Sequence, residues 1–250
     1  MTQEVVIVVG LSILSFISGM LGLGVAFAAI PFLALFMNDL VHQVQPLSLT
    51  LNGITAMFAT LGFARSGYID WKKAFILAVV CTISAPVGSL LAQHIPQTTI
   101  WGIYLVAVAY LAYRLFKPVK GESQEQPRFL LVLVLAVPIS VLSGLLGVGP
   151  GFLLMPTLIL VGFEPKMAAG INAFAVTPPS FSALVPHLYT AQFDMGLTGW
   201  CILVGVIFSY LGAKVTSLYV PDQRLKQVFG VLIVVMTLYK VATLISHGGR

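Results

Sequence analysis

An all-α polytopic membrane protein, made of two inverted-topology repeats of about five hydrophobic segments each, is the fold class that three observations predict. The chain has 250 residues, 58% of them apolar and only 8% charged, with a mean hydropathy of +1.01; soluble domains carry roughly 25% charged residues. Long apolar runs recur along it. A bilayer core about 30 Å thick takes roughly 20 helical residues to cross, so the chain holds at most about ten spans and has no room for a soluble domain. The third observation is an internal repeat. Ser18-Gly19-Met20-Leu21-Gly22-Leu23-Gly24-Val25-Ala26-Phe27 returns 125 residues later as Ser143-Gly144-Leu145-Leu146-Gly147-Val148-Gly149-Pro150-Gly151-Phe152, Pro31 returns as Pro156, and eight of sixteen positions are identical between 18–33 and 143–158. Tyr68-Ile69-Asp70 is echoed by Gln192-Phe193-Asp194, and Gly88 by Gly212, each 124 residues on. Several echoes at one spacing mark a duplicated unit.

The elements follow in order. Repeat 1, residues 1–116, carries apolar runs at about 5–21, 24–37, 44–64, 74–92 and 98–116. Its opening Met1-Thr2-Gln3-Glu4 lacks the basic stretch of a secretory signal, so the run that follows is expected to stay as structure. Residues 117–128, with Pro, Gly and charges, read as a cytoplasmic linker. Repeat 2, residues 129–250, carries runs at 129–147, 150–162, 168–186, 195–213 and 227–245.

In each repeat the first two runs are short, about 14 to 19 residues, and glycines join them with a proline a few residues on. Glycine permits the tight bend, and proline stops a helix from running straight through. The third run of each repeat is punctuated by polar residues: Ser48, Thr50, Asn52 and Thr55 in one, Asn172, Thr177, Ser180 and Ser182 in the other. There Pro178-Pro179 is expected to break or bend the helix. Asp70 and Asp194, just before the fourth runs, read as helix caps.

Orientation comes from the basic residues. Arg65, Lys72 and Lys73 share a loop, Arg114, Lys117, Lys120 and Arg128 flank or occupy the linker, and Lys214, Arg224 and Lys226 lie near the last span. All are expected on the cytoplasmic side. That parity holds if 129–162 is two short segments or a re-entrant hairpin, which puts both termini outside and the halves in opposite orientations. Four crossings per half would instead give a parallel repeat.

Backbone at membrane depth is tolerated only when packed in protein or lining a polar cavity. Paired broken segments therefore point to a transporter site, where half-helix N-termini offer free N–H groups and a positive dipole end to an anion. The expected substrate-binding residues are Gly22, Gly24, Ser48, Asn52, Gly147, Gly149, Gly151, Asn172, Thr177, Ser180 and His187. Asn52 and Asn172 lead, because an amide has no comparable partner on its own helix, whereas Ser and Thr often back-bond. His187, in Val185-Pro186-His187-Leu188-Tyr189, follows the polar run and is read as an interfacial histidine or a substrate contact.

Other functions are excluded or disfavoured by what is missing. No Asp, Glu, Lys or Arg lies near the middle of a span, which disfavours a proton relay or a cation site. Gly147-Val148-Gly149-Pro150-Gly151 has no following Lys-Ser/Thr and meets neither nucleotide-loop pattern. Cys81 and Cys201 stand alone in apolar runs. The net charge of +5 fits membrane loops, and no basic stretch is long enough to track nucleic acid. The expectation is no enzyme activity, no cofactor and no metal. A small anion and the bilayer are the expected partners, with a homodimer left open.

At the glycine strings, with Pro31 and Pro156, with Gly170-Ile171-Asn172 opening the next span and Gly67-Tyr68-Ile69-Asp70 in the following loop, the sequence resembles the TauE/SafE family, often called sulfite exporters. The likeness covers nearly the whole chain. It implies a multi-pass inner-membrane transporter that exports sulfite, organosulfonates or another small anion by alternating access. An anion channel and a membrane assembly protein are the alternatives. One departure is visible: Gly24-Val25-Ala26 stands where the second copy has Gly149-Pro150-Gly151, so the two copies are not expected to play equal roles.

Overall fold

The computed structural model describes residues 2–116 and 128–225, together with 227, 228, 230, 231, 234 and 235. Linker residues 117–127, Lys226 and most of the run 227–245 lie outside the described residues. The helices are α1 (Thr2–Leu21), α2 (Ala26–Leu33), α3 (Gln45–Phe63), α4 (Trp71–Ala92), α5 (Gln97–Phe116), α6 (Phe129–Leu146), α7 (Gly151–Leu160), α8 (Pro165–Leu184) and α9 (Met195–Tyr219). A π-helical turn, Leu40–Val44, leads into α3, and a 3-10 turn, Val185–His187, follows α8. Among the described residues there is no β-strand, and six helices are long and apolar enough to cross a bilayer. The protein is a multi-pass membrane protein, with apolar side chains facing outward as well as inward, such as Ile83 and Leu130, at 73% and 75% exposed.

Local chemistry sets the starts. The Asp70 carboxylate accepts from Lys73 N at 3.1 Å and opens α4; that of Asp194 accepts from Gly196 N and Leu197 N at 2.9 and 3.1 Å and opens α9. Asp39 does the same for the π-helical turn, accepting from Val41 N and His42 N at 3.1 and 2.9 Å, and its other oxygen lies 2.8 Å from His42 Nδ1. Partial burial works to raise the Asp39 carboxyl, but the hydrogen bonds and charge of His42 and the Val41 amide outweigh it and hold the carboxyl below its ordinary 3.8. At Asp70 burial is likewise outweighed, here by Lys73, and that carboxyl also lies below 3.8.

Two expectations are corrected. The first two runs of each repeat are unlike in length: α6 with 18 residues is as long as expected and α1 with 20 slightly longer, both long enough to cross a bilayer. By contrast α2 with 8 and α7 with 10 are half-helices, shorter than expected. Pro178-Pro179 does not break α8, which runs through both prolines. Thr177 Oγ1 and Ser180 Oγ donate to Ala173 O and Val176 O at 3.0 and 2.7 Å beside the prolines, and the helix packs against α3 and α4.

The helices pack in reciprocal pairs. α1 lies along α9 and α6 along α4; α3 lies along α9 and α4 along α8; α3 and α8 pack on each other. Matching α1 to α6, α3 to α8 and α4 to α9 turns each of these contacts into another of them. Glycine repeats the pattern atom by atom: a Cβ at Gly19 or Gly212 would overlap the carbonyl oxygen of Ser209 or Phe16 across α1 and α9, and one at Gly144 or Gly88 that of Ala85 or Val141 across α6 and α4. Such small residues let helices in lipid approach to backbone contact.

Each half-helix folds back on the helix before it. Gln3 Nε2 donates to Phe36 O at 3.5 Å and the Phe32 ring sits against Gly10, so the α1–α2 hairpin opens at a first end of the bundle. That end also holds Leu40 N bonded to Gln97 Oε1 at 3.2 Å and Gln192 N bonded to His42 O at 2.8 Å. In the second half Arg128 N donates to Val161 O at 3.3 Å and the Phe129 and Phe163 rings meet edge to face. This hairpin opens at the other end, where Lys166 Nζ lies 5.1 Å from the Tyr68 ring and Lys166 N bonds Asp222 Oδ1 at 2.9 Å. Arg65, Lys72, Lys73, Arg128, Lys166, Lys214 and Arg224, the basic residues whose side chains are described, sit at or near this second end.

Candidate functional site

The bends come first. Gly22 and Gly24 have φ of 62° and 70°, and their repeat mates Gly147 and Gly149 both have 69°, a left-handed conformation open to glycine at little cost. α1 and α6 end alike: Leu23 N bonds Ser18 O at 3.0 Å and Val148 N bonds Ser143 O at 3.1 Å, the six-to-one bond that closes a helix C-terminus. Gly149-Pro150-Gly151 therefore bends the chain just as the first copy does, despite its different sequence.

Beyond the bends, α2 and α7 begin side by side in the buried centre. The rings of Phe27 and Phe152, repeat mates and second residues of the two half-helices, stack with centroids 4.9 Å apart and planes 11° from parallel. α2 runs from there toward the first end and α7 toward the second, so two positive helix ends adjoin, with no acidic side chain between them among the described residues.

α3 and α8 wall this centre and treat the two helix starts differently. Thr55 Oγ1 accepts from Val25 N at 3.2 Å and Asn52 Oδ1 from Ala26 N at 2.9 Å, so the start of α2 is capped by α3. The Asn52 amide nitrogen then donates to Ser180 Oγ at 2.8 Å, which satisfies both ends of the group. A Cβ on Gly24 or on Gly149 would run into this same amide. At the start of α7 the corresponding positions are Val176 and Pro179, which carry no acceptor. Val176 Cγ2 would lie 2.9 Å from a Cβ on Gly151, where its mate Asn52 meets Ala26. Among the described residues no side chain accepts from the first N–H groups of α7.

Asn172 stands beside that uncapped end. Its Nδ2 donates to Gly22 O at 2.8 Å and to Gly151 O at 3.3 Å, while Oδ1 is fully buried without a partner. Its mate Ser48 is also fully buried with an unpartnered hydroxyl. Gly22, Gly24, Gly147, Gly149, Gly151, Asn52, Asn172 and Ser180 are thus brought together, with Ser48 on the same stretch of α3. Thr177 is set apart, its hydroxyl spent on its own helix at Ala173 O. His187 lies away from the glycines at the first end, fully buried, with Nδ1 2.8 Å from Gln93 Nε2 and 3.1 Å from Val41 O. Gln93 also lines an open polar cleft of about 380 Å³ with Asp39, His42 and Gln97.

Gln45 joins the centre without having been singled out in the sequence: Nε2 donates to Leu145 O at 3.1 Å, Oε1 is unpartnered, and the side chain packs where a Gly147 Cβ would go. At the start of a span it reads as an ordinary polar flank, and no sequence signal marks it. Phe27 and Phe152 carried a signal, as identical positions of the repeat.

Among the described residues the site holds neutral hydrogen-bonding groups and helix ends only. Among the described residues no three His, Cys, Asp or Glu gather to hold a metal. Such a centre can bind a small anion without a buried charge pair.

The chain resembles known membrane transporter proteins over most of its length. The family model described as "Sulfite exporter TauE/SafE" matches residues 6–240. A "Probable membrane transporter protein" of Xylella fastidiosa strain Temecula1 is 25% identical over 96% of this chain and 95% of its own length. "Probable membrane transporter protein ORF9" of a Sinorhizobium species is 27% identical over 78% and 77%, and "Probable membrane transporter protein YdhB" of Bacillus subtilis strain 168 is 21% identical over 85% and 90%. No solved structure matches the chain.

Proposed function

We propose that this chain, which belongs to the sulfite exporter TauE/SafE family of membrane transporters, exports a small anion such as sulfite or an organosulfonate by alternating access. One observation carries the reading: α2 and α7 start together in the buried centre on matched left-handed glycines and run to opposite ends. In this reading the halves are inverted repeats, the anion sits at the paired helix ends, and one half rocks against the other around it. Support comes from the reciprocal helix pairs and from hairpins that open at opposite ends. The basic second end faces the cytoplasm across the plasma membrane. An inside-negative potential drives an anion outward with about 2.3 kcal/mol per charge per 100 mV, so export needs no coupling ion. Purified protein in liposomes should move sulfite faster than empty vesicles, with a rate that saturates. Equal rates with and without protein remove the proposal, and a flux that never saturates replaces the carrier by a channel.

A further inference from the structure

We infer that the central site selects singly charged anions that carry a hydrogen-bond donor of their own, and that Asn172 Oδ1 is the group that reads the donor. The inference rests on the transport reading above and deepens it by naming the substrate class.

The argument begins with the fixed orientation of one amide. Asn172 Nδ2 has two N–H bonds to give and two carbonyl oxygens to receive them, Gly22 O at 2.8 Å and Gly151 O at 3.3 Å. A flipped amide would set its oxygen against both, so Oδ1 is held as an acceptor. It is fully buried and unpartnered. Asn52 provides the contrast within the same centre, because its oxygen and nitrogen are both satisfied, by Ala26 N and Ser180 Oγ. A buried acceptor with no donor is costly, and a ligand that supplies one gains what a donor-free analogue forfeits.

Gly151, whose carbonyl Asn172 holds, is also the first residue of α7; among the described residues no side chain accepts from the N–H groups of Gly151 and Phe152, while those of Leu153 and Leu154 bond Pro150 O. One ligand therefore meets two opposite demands: anionic oxygens for the N–H groups of α7, and an O–H or N–H for Oδ1. Among the described residues no lysine or arginine lies in the centre to offset a second negative charge, which favours a monoanion over a dianion.

Sulfamate and methanesulfonate test this directly, since both are tetrahedral monoanions of nearly one size and only sulfamate carries N–H donors. Measured as competitors of sulfite flux in proteoliposomes, sulfamate should act at a concentration about tenfold or more below methanesulfonate, with sulfate weaker than either. In Asn172→Ala the two monoanions should become equal to within about twofold. Equal potency in the wild type overturns the inference while leaving the transport reading in place, as does a preference that survives in folded Asn172→Ala. The wild-type ratio needs no variant, so the proposal stays open to disproof if Asn172→Ala does not fold. If no anion moves at all, the transport reading falls and this one with it.

Discussion

Phe27 and Phe152 occupy the same position of the two repeats and stack on one another, 4.9 Å between ring centres. Both are 1% exposed, and both sit on the first turn of a half-helix, so the contact fixes how the two helix starts meet. Truncation of either ring to alanine should cost about 3–5 kcal/mol. The two losses should agree within about 1 kcal/mol, and the double variant should lose about 0.5–1.5 kcal/mol less than their sum. Thermal unfolding in detergent measures all three; a large difference between the single variants means that the rings are not equivalent.

The two central asparagines should separate folding from transport. Asn52→Ala leaves the Ala26 N–H unpaired at the buried start of α2 and should destabilise by about 1–3 kcal/mol. Asn172→Ala should lower anion flux per folded molecule more than it lowers folded yield. An unchanged flux in that variant takes Asn172 out of the site.

Glycine at the bend is needed both for its φ and for its lack of a side chain. Gly149→Ala should therefore lose transport, since left-handed backbone costs an L-residue about 1–2 kcal/mol and the added methyl runs into the Asn52 amide. Gly67, with φ of 77° and nothing within 4 Å of a Cβ, isolates the first effect. Gly67→Ala should cost about 1 kcal/mol and keep wild-type flux. Wild-type flux from Gly149→Ala means that the string serves packing alone.

Much of this centre was legible beforehand, for a physical reason. Left-handed turns demand glycine, and duplication printed the demand twice, so Gly22, Gly24, Gly147 and Gly149 stood out from the apolar background. The different fates of Asn52 and Asn172 were not legible. They depend on whether position 176 or position 52 carries the amide, and on contacts such as Asn172 to Gly22, 150 residues away. A break at Pro178-Pro179, one of the two outcomes read from local chemistry, does not occur where α8 packs on both flanks. Gln45 was invisible because its role lies in what it touches, Gly147 of the other half.

Acid should act at the helix caps rather than at the centre. Asp39 and Asp70 lie below their ordinary 3.8 when folded, so each adds stability that is present above that value and is lost as the pH falls through the depressed one. Melting temperature should hold down to about pH 4 and fall below it. The double variant Asp39→Asn, Asp70→Asn should start lower and show a flatter acid limb. An unchanged acid limb means that other groups govern it.

Thiol labelling should read the orientation of the bundle. Both native cysteines are buried, Cys81 at 0% and Cys201 at 1% exposed, so they leave a quiet background. Tyr189, 94% exposed at the first end, should as Tyr189→Cys react with a membrane-impermeant maleimide in intact cells. Arg65→Cys, at the second end, should react only after permeabilisation. The reverse pattern inverts the assignment of the cytoplasmic face.

The reciprocal pairing of helices bears on how the chain is made. α1 finds its main neighbour in α9, so it waits for a helix synthesised about 190 residues later. At a synthesis rate of about 5–20 residues per second that is roughly ten seconds or more with the Gly19 backbone uncovered. α4 waits far less for α6. The nascent protein should thus assemble around α4, α6 and α8, and an insertase or the lipid itself must shield the α1–α2 hairpin until α9 emerges.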